Sequence, residues 1–555
     1  MKDLLIQAIQ SACKDLFEIE VSIELSRPDE QFGDFTTNVA LKLAKQVGKS
    51  PRDIGQALAD KLRDHELLKD VQVAGPGFLN LVISDKALVE LASQDPEQPL
   101  TGKKVLVEYS DPNPFKPLHA GHLYTTLVGD MIARLVESAG AETVRINYGG
   151  DVGLHVGKCM WSIIKHIGGE LPEKLDEVAE AERPVWLGKR YVEGNNAYED
   201  DEKSRREIIE TNKRVYQLHE QGDHDSLFAQ IYWTCRQWSY DYFAELYKQL
   251  QVVPFDRYIP ESEVTQLGVQ TVQAQLKKGI FEESEGAIIF DGEKQGLHKR
   301  VFINSEGLPT YETKDIGLSL TKWQEYHFGQ SIIITANEQA QYMQVVIAAI
   351  KQFAPEPAER TRHLTHGVVK LQGGVKMSSR KGNVVTALEI LEAAHQAGTE
   401  NGTVANEQTI LAAVKYAFAK NRIGGDIVYD PKESIALEGN SGPYLQYAHA
   451  RARSILTKVV GRNDVAMTNL QSDERSLLRK IGEYSEILEK TTAELMPHHI
   501  CTYLYELAQT FNRFYEKNRV IDDPRQDTRL YLVECYANRL KTGLQLLGIH
   551  APDKM

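Results

Sequence analysis

Residues 104–146 have the sequence KVLVEYSDPNPFKPLHAGHLYTTLVGDMIARLVESAGAETVRI. The run at 104–109 is apolar at its centre and predicts a buried strand. Apolar residues then recur at helical spacing from Leu123 to Val136, and Gly140 predicts the end of that helix. Residues 143–146 predict a second strand. A strand, a crossover helix and a second strand form a βαβ unit, so this stretch predicts a parallel sheet.

The loop between the first strand and the helix contains NPFKPLHAGH at 113–122. It leads to a helix N-terminus, where unpaired N–H groups and the helix dipole favour phosphate. His119 and His122 can donate hydrogen bonds to phosphate oxygens, and Gly121 would let a flat base lie against the backbone. The glycine pattern is not GxGxxG, which argues against a dinucleotide cofactor. The alternatives are a metal-binding pair, for which HxxH names no third ligand, and ordinary surface histidines.

A second polar motif, KMSSRKGN, follows at 376–383, after a predicted strand and the pair Gly373-Gly374. Its three cations could hold a triphosphate while negative charge builds up in phosphoryl or adenylyl transfer. The alternative is a solvated run of charges.

The chain as a whole predicts a multidomain α/β fold in three parts. Residues 1–93 predict a small α+β domain, which the proline-containing linker QDPEQP at 94–99 closes. Residues 94–400 predict a doubly wound Rossmann-type domain with a charged helical insertion at about 168–250, and residues 401–555 predict an all-α bundle. Further strands of the doubly wound sheet are expected at 287–290, 301–303, 331–335 and 364–369.

The composition of the 555 residues limits the class of protein. No stretch has the length and apolar character of a membrane span, and the first residues lack a signal-peptide core. Five scattered cysteines without a CxxC pair argue against a zinc ribbon or a disulfide framework and fit a reducing cytoplasm.

The net charge of −14 argues at first against a nucleic-acid partner. The charge is uneven, however, because residues 436–555 hold 16 basic and 15 acidic side chains. A polyanion could therefore bind there without the whole chain being basic. The alternative is that these helices form an ordinary solvated bundle.

Together, the motifs at 113–122 and 376–383 resemble the HIGH and KMSKS signatures of class I aminoacyl-tRNA synthetases. YETKDIG at 311–317 is similar to the YxTxDIG segment of the arginyl-tRNA synthetases. Its chemistry suits a guanidinium group, because the Asp315 carboxylate can accept two N–H bonds and Tyr311 can close the pocket wall. The alternative is a surface strand-to-helix turn with Asp315 as the N-cap. Four more segments resemble the same family: FGDFTTN at 32–38, NYGGDVG at 147–153, SGPYLQYAHARA at 441–452 and LLGIHAPDKM at 546–555.

The resemblance implies roles for the matched residues. Those expected to bind arginine are Glu108, Asp111, Asn113, Tyr311, Asp315 and Gln339. Those expected to bind ATP are His119, Gly121, His122, Lys376, Met377 and Ser378, and the catalytic phosphate contacts are His119, His122, Lys116 and Lys376. Those expected to bind tRNA are Phe32 and Asn38 in the N-terminal domain and Tyr444, Arg451 and Met555 in the C-terminal bundle.

The sequence departs from the family pattern in several places. The fourth position of the KMSKS-like motif is Ser379 instead of lysine, and the resemblance implies that Lys116 takes over, with Arg380 and Lys381 as alternatives. Asp111 stands where many relatives have serine, and His155 where many have glutamine, so no role is assigned to His155. The DALR-like position at 536–540 reads YANRL, a weak match.

The resemblance implies a ligase that forms arginyl-adenylate from arginine and ATP with Mg²⁺ and then charges the arginine tRNA. We expect it to have no structural zinc and no editing domain, to be monomeric, cytoplasmic and not membrane-bound, and to need tRNA before it activates arginine. The alternatives are a small-molecule ligase or nucleotidylyltransferase with the same HxGH motif, and a catalytically silent tRNA-binding paralogue. The silent paralogue would be expected to have lost His119, His122 or Lys376, and all three are present.

Overall fold

The computed structural model describes residues 1–372, 385–400, 406–459 and 467–555. The chain begins with an α+β unit whose three antiparallel strands lie in the order β1-β3-β2. Its elements are α1 (Lys2–Phe17), β1 (Phe35–Thr37), α2 (Val39–Val47), α3 (Pro51–Leu62), β2 (Leu68–Ala74), β3 (Phe78–Ile83) and α4 (Asp85–Ser93). Ser50 and Ser84 cap α3 and α4 by accepting backbone N–H bonds through their hydroxyls.

The βαβ unit predicted from residues 104–146 is confirmed. It consists of β4 (Lys104–Glu108), α5 (Ala120–Ser138) and β5 (Glu142–Gly149), and its two strands pair in parallel. The chain then enters four helices, α6 (Leu154–Ile167), α7 (Arg183–Asp200), α8 (Glu202–Gln221) and α9 (Leu227–Gln249), before it returns to the sheet as β6 (Arg257–Pro260). The helical insertion between two strands of the sheet is therefore also observed.

The rest of the central part adds two strands to the other side of β4. Its elements are α10 (Glu261–Leu276), β7 (Glu282–Ser284), β8 (Ala287–Phe290), β9 (Arg300–Ile303), α11 (Tyr311–Tyr326), β10 (Gln330–Ala336), α12 (Ala340–Lys351), α13 (Pro355–Glu359) and β11 (Thr361–His366). The five-stranded sheet has the order β11-β10-β4-β5-β6, and all its strands are parallel. The prediction that 287–290 and 301–303 belong to this sheet is wrong, because β7, β8 and β9 pair with one another in a separate antiparallel sheet.

The C-terminal part is mainly helical. Its elements, with the short strand that precedes them, are β12 (Val369–Leu371), α14 (Ala387–Glu400), α15 (Glu407–Ala419), β13 (Ile427–Tyr429), α16 (Pro431–Ser434), α17 (Gly442–Leu456), α18 (Ser472–Gly482), α19 (Tyr484–Glu494), α20 (His498–Lys517) and α21 (Gln526–Leu546). The sequence did not reveal β13, which pairs in parallel with β12. Helices α14, α15, α19 and α21 pack on α5, which explains why α5 is buried along most of its length.

Ion pairs attach the N-terminal unit to the C-terminal helices. Arg475 on α18 contacts the carboxylates of Asp34 and Asp85, and Arg27 donates to Glu486 on α19 at 2.8 Å. Asp34 belongs to the FGDFTTN segment, and its Oδ2 also accepts the Ile83 N–H at 2.9 Å. Part of this segment therefore holds the two ends of the chain together.

Candidate active site

The strand order of the parallel sheet reverses beside β4. The chain passes from β4 through β5 to β6 on one side and later adds β10 and β11 on the other. In open parallel sheets, ligands bind outside the carboxyl ends of the strands at such a reversal. The loop of residues 109–119 follows β4 at this point, and Gln339 lies exposed just after β10.

His119 and His122 fold over the first turn of α5. His119 is the N-cap, and its Nδ1 accepts the N–H groups of Gly121 at 3.1 Å and of His122 at 3.3 Å. His122 Nδ1 accepts the N–H of His119 at 3.4 Å, and the two rings stack with centroids 3.8 Å apart. The N–H of Ala120 donates to the Val385 carbonyl at 2.9 Å. The prediction that this helix end offers unpaired N–H groups is therefore wrong for the four groups of residues 119–122.

The same hydrogen bonds fix the protonation of both rings. Because each Nδ1 accepts, each neutral imidazole carries its proton on Nε2, which can then donate to a ligand. Burial, and then the Lys116 charge, lower the pKa of His119 to about 4. Burial and the charge of His119 lower the pKa of His122 well below its usual value. A β-carbon on Gly121 would lie 2.9 Å from His119 Cε1, so glycine here lets the ring lie over the helix.

We expect the stability of the fold to fall on acidification because of His119. The unfolded chain binds a proton at His119 near pH 6.5, whereas the folded chain binds it only near pH 4. The free energy of unfolding therefore decreases as the pH falls through that window, by up to about 1.4 kcal/mol per pH unit for this group. His119→Asn can keep the N-cap acceptor. Its free energy of unfolding, measured with urea at several pH values between 4.5 and 7, should fall less steeply on acidification than that of the unchanged chain. An equal pH dependence of the unfolding free energy in both chains would contradict the contribution of His119.

The described segment that follows the second signature motif lies against His119. Residues 376–383 lie outside the described residues, but Thr386, just after them, forms an antiparallel bridge with His119. The N–H of Ala387 donates to the Leu118 carbonyl at 3.0 Å. The segment that follows the second motif thus lies against the first motif.

The loop between β4 and α5 has a strained backbone held from outside. Ser110, Asp111 and Phe115 have φ angles of 76°, 47° and 69°, a region that costs energy for residues other than glycine. Helix α9 of the insertion secures the loop: Ser239 Oγ accepts the Phe115 N–H at 2.9 Å, and the hydroxyls of Tyr247 and Ser110 are 2.7 Å apart. This strain occurs where the loop carries Asp111, Asn113 and Lys116 past the sheet.

Beside this loop, α10 and α11 add buried charges to the end of β4. Lys322 donates to Glu108 at 2.5 Å, and both side chains are almost completely buried. Lys314 pairs with Glu261 in the same way. These two lysines neutralise two of the carboxylates of the pocket.

Asp111 and Asp315 lie in the same cluster of charges as Glu108, because burial and then the charge of Glu108 raise the pKa of both, and these three carboxylates together define the acidic pocket. In the described part of the chain, neither has a basic side chain within 4 Å. Burial raises the pKa of Asp315 to about 7, against a hydrogen bond from Tyr342, and burial together with Glu108 raises the pKa of Asp111. A buried carboxylate without a paired cation is costly, so the pocket of the buried Asp315 and the half-buried Asp111 suits a positively charged ligand.

Comparison with known proteins agrees with this geometry. Residues 85–430 match the family model described as tRNA synthetases class I (R), catalytic domain, which is more than half of the chain. The chain belongs to the arginyl-tRNA synthetases. Residues 1–83 match the arginyl tRNA synthetase N terminal domain, and residues 445–555 match the DALR anticodon binding domain.

Individual members of the family match the chain over its full length. It is 31% identical to the arginine–tRNA ligase of Lactobacillus delbrueckii subsp. bulgaricus, with 100% of both chains covered. It is 32% identical to that of Limosilactobacillus reuteri, over 98% of this chain and 97% of the relative. The solved arginyl-tRNA synthetase of Thermus thermophilus superposes with a TM-score of 0.79 at 26% identity, with 100% of both chains covered.

In this chain, Asp315 is not the N-cap of a surface strand-to-helix turn, which was the alternative interpretation of its motif. Helix α11 begins at Tyr311 and its N-cap is Thr310, so Asp315 lies inside the helix and is 9% exposed. Asn113 and Asp111 accept the N–H groups of Gly150 at 3.1 Å and Tyr148 at 2.8 Å, which ties the first signature loop to the NYGGDVG segment. The predicted arginine residues Glu108, Asp111 and Asp315 thus share one cluster of charges.

Several residues of this site were not assigned a role from the sequence. They are Glu261, Lys314, Lys322, Tyr342 and His155. His155 Nε2 lies 2.7 Å from the Gly150 carbonyl, and its Nδ1 lies 3.4 Å from the Tyr311 hydroxyl. Two of these residues carried a signal in the sequence, because Lys314 lies within the quoted YETKDIG segment and His155 departs from the family pattern. The others depend on contacts between distant segments.

The residues predicted to contact tRNA lie in the first and the last part of the chain. Phe32 is 48% exposed, and the side-chain oxygen of Asn38 is buried. The hydroxyl of Tyr444 accepts from Asn512 at 2.9 Å, the Arg451 guanidinium lies 4.7 Å from the Tyr515 ring centre, and Met555 is 53% exposed. The C-terminal segment lies against the same helix as Tyr444 and Arg451, because His449 bonds to the Pro552 carbonyl.

Part of the basic charge of the C-terminal part is used internally. Arg525 and Arg529 pair with the fully buried Glu474, and Arg475 pairs with Asp34 and Asp85. Arginines counted from sequence as possible polyanion contacts are thus partly structural.

Among the residues that the structure describes, no group of three or more histidine, cysteine, aspartate or glutamate side chains could hold a metal ion. None of the helices within these ranges has the length and apolar character needed to cross a membrane.

Proposed function

We propose that this chain charges the arginine tRNA in two steps, formation of arginyl-adenylate and transfer of the arginyl group to the tRNA, with the site residues in the roles given below. The observation that carries the proposal is the pair of the half-buried Asp111 and the buried Asp315 at the reversal of the sheet, neither of which has a basic side chain within 4 Å in the described part of the chain. A ligand with a positive side chain would neutralise these carboxylates. Its own carboxylate end would then face the N–H groups that can donate hydrogen bonds to phosphate.

Arginine occupies the acidic pocket in this proposal. Asp315 receives the guanidinium in a bidentate hydrogen bond, Tyr311 covers it, and Gln339 and Asn113 supply further polar contacts. Glu108 keeps its ion pair with Lys322 and forms the floor of the pocket, and Asp111 adds the second free carboxylate. A neutral analogue such as citrulline leaves Asp315 unpaired, which is the kind of mismatch that reduces kcat/KM by about 10⁴-fold.

ATP binds outside the carboxyl ends of β4 and β10 in this proposal. The Nε2–H groups of His119 and His122 donate to its phosphates, and Gly121 leaves space for adenine. Lys116 and Lys376 supply positive charge, and Met377 and Ser378 complete the contact. Mg²⁺ arrives with ATP as a companion of its phosphates, and the described residues offer it no cage of their own.

In the first step, a carboxylate oxygen of arginine attacks the α-phosphorus, the bond to the β-phosphate bridge breaks, and pyrophosphate leaves. Lys116 and the two histidines stabilise the charge that develops on the phosphate oxygens. In the second step, a hydroxyl of the terminal tRNA ribose attacks the arginyl carbonyl carbon, and AMP leaves with the bridging oxygen. No side chain of the protein forms a covalent intermediate.

The proposal also covers the tRNA contacts, the oligomeric state and the location of the protein. Phe32 and Asn38 belong to an N-terminal domain of residues 1–93 that contacts the tRNA elbow. Tyr444, Arg451 and Met555 belong to an anticodon-binding domain of residues 401–555, and residues 94–400 form the catalytic domain. The matched family models support this division, because residues 1–83, 85–430 and 445–555 match an N-terminal, a catalytic and an anticodon-binding domain model. We propose a monomer that acts in the cytoplasm.

Transfer of labelled amino acid to a transcript of the arginine tRNA tests the proposal. Labelled arginine should become acid-precipitable, whereas labelled citrulline and lysine should stay near background. A transcript whose terminal ribose has been oxidised with periodate is the matched control and should accept nothing. Equal charging by citrulline would exclude a pocket built around Asp315.

A further inference from the structure

Helix α7 of the insertion packs directly against the loop that carries Lys116. A β-carbon on Gly188 would lie 3.2 Å from Pro117 Cδ, so a larger residue would press on the loop. The Cys159 thiol on α6 lies 3.8 Å from the Phe115 carbonyl and 3.7 Å from the Leu187 carbonyl, which links the loop to α7 a second time. The position of the Lys116 backbone is therefore defined relative to α7.

Tyr191 lies on the same face of α7, three residues after Gly188. The Lys116 ammonium is 4.0 Å from the centre of the Tyr191 ring, the distance of a cation–π contact. Within the part of the chain that the structure describes, no carboxylate forms an ion pair with this ammonium within 4 Å, whereas the aromatic ring contacts it. Tyr191 itself is partly buried against the apolar core of the insertion.

The choice of a ring instead of a carboxylate has a chemical consequence. A carboxylate would neutralise the ammonium, whereas a ring face attracts it and leaves its full charge available for a phosphate. The ring also limits the rotamers of a four-carbon side chain, which would otherwise have to be ordered during the reaction. The charge of Lys116 reaches the histidine pair, because it contributes to the lowered pKa of both His119 and His122.

We propose that Tyr191 is a positioning residue that holds the Lys116 ammonium at the α-phosphate site, so that the helical insertion contributes to the activation step. This inference rests on the proposed role of Lys116 in arginine activation. It gives the insertion a function that no motif in residues 168–250 indicated.

Arginine-dependent ATP–pyrophosphate exchange by the full chain with its tRNA tests the inference. Tyr191→Leu should lower kcat by roughly 5- to 30-fold, the range expected from loss of one cation–π contact, while KM for arginine stays within about twofold. Tyr191→Phe keeps the ring face and should retain nearly full kcat. Lys189→Ala, which removes an exposed charge from the same helix, is the matched control and should behave like the unchanged chain. Tyr191→Gln serves as a second non-aromatic variant where Tyr191→Leu does not fold.

A double variant separates this inference from the role of Lys116. In the Lys116→Ala background, Tyr191→Leu should lower kcat no further, because the ring then has no ammonium to hold. A normal kcat for Tyr191→Leu beside a slow Lys116→Ala would overturn the inference and leave the role of Lys116 intact. An equal loss from Tyr191→Leu in both backgrounds would also overturn it, since the ring would then act only through packing. A normal kcat for Lys116→Ala would instead refute the proposed function of Lys116.

Discussion

Replacing Asp315 by asparagine should lower kcat/KM for arginine in ATP–pyrophosphate exchange by about 10³-fold, equivalent to about 4 kcal/mol. Asparagine has nearly the same shape and can still accept the hydrogen bond from Tyr342, but it removes the charge that would pair with the guanidinium. Most of the loss arises because arginine would bury a cation without its partner. Asp315→Ala should lose at least as much.

Glu312→Gln is the matched control for this prediction. Glu312 lies on the same helix and is also buried, but its carboxylate is 3.7 Å from Arg300 and belongs to a different pair. Its removal should leave the arginine dependence unchanged. Arginine-dependent exchange close to the unchanged level in Asp315→Asn would show that the guanidinium binds elsewhere.

Replacing Lys116 by alanine should lower kcat for arginine activation by about 10²- to 10³-fold, the usual effect of removing one group that stabilises charge in the transition state. The KM for arginine should change little, because Lys116 is placed near the histidine pair and not within the acidic pocket. Rapid-quench measurement of adenylate formation, with arginine binding measured separately, distinguishes the two effects.

Lys116→Arg should recover part of the lost rate, because it keeps the charge and can still contact Tyr191. A full rate in Lys116→Ala would transfer the role of the missing signature lysine to Arg380 or Lys381. The sequence offered these two residues as alternatives, and both lie outside the described part of the chain.

Local patterns in the sequence were sufficient for the parts of the fold that are local. The strand at 104–108 and the helix from 120 to 138 could be predicted because their apolar spacing falls within one stretch. The sheet to which a strand belongs could not be predicted in this way. Ala287–Phe290, for example, has the apolar composition of a strand whichever sheet it joins. The strand β13 has only three residues and depends on its pairing with β12.

The site shows the same limit. His119 and Asp315 could be chosen from motifs, but the sequence did not show that His119 satisfies its own helix end or that Asp315 lies beside Glu108. Lys322 and Glu108 are 214 positions apart, so their ion pair follows only from the fold. Net charge was the least informative feature. The total of −14 suggested no nucleic-acid partner. Two of the arginines counted in the C-terminal part, Arg525 and Arg529, form ion pairs within the bundle.

Arginine-dependent ATP–pyrophosphate exchange, measured with and without the arginine tRNA, distinguishes the proposed function from its alternatives. We expect exchange that requires arginine, that is not supported by citrulline or lysine, and that appears only when the tRNA is present. Exchange that is independent of tRNA would favour a small-molecule ligase with the same HxGH motif. No arginine-dependent exchange in the presence of the tRNA, from a chain that still binds it, would contradict the proposed function.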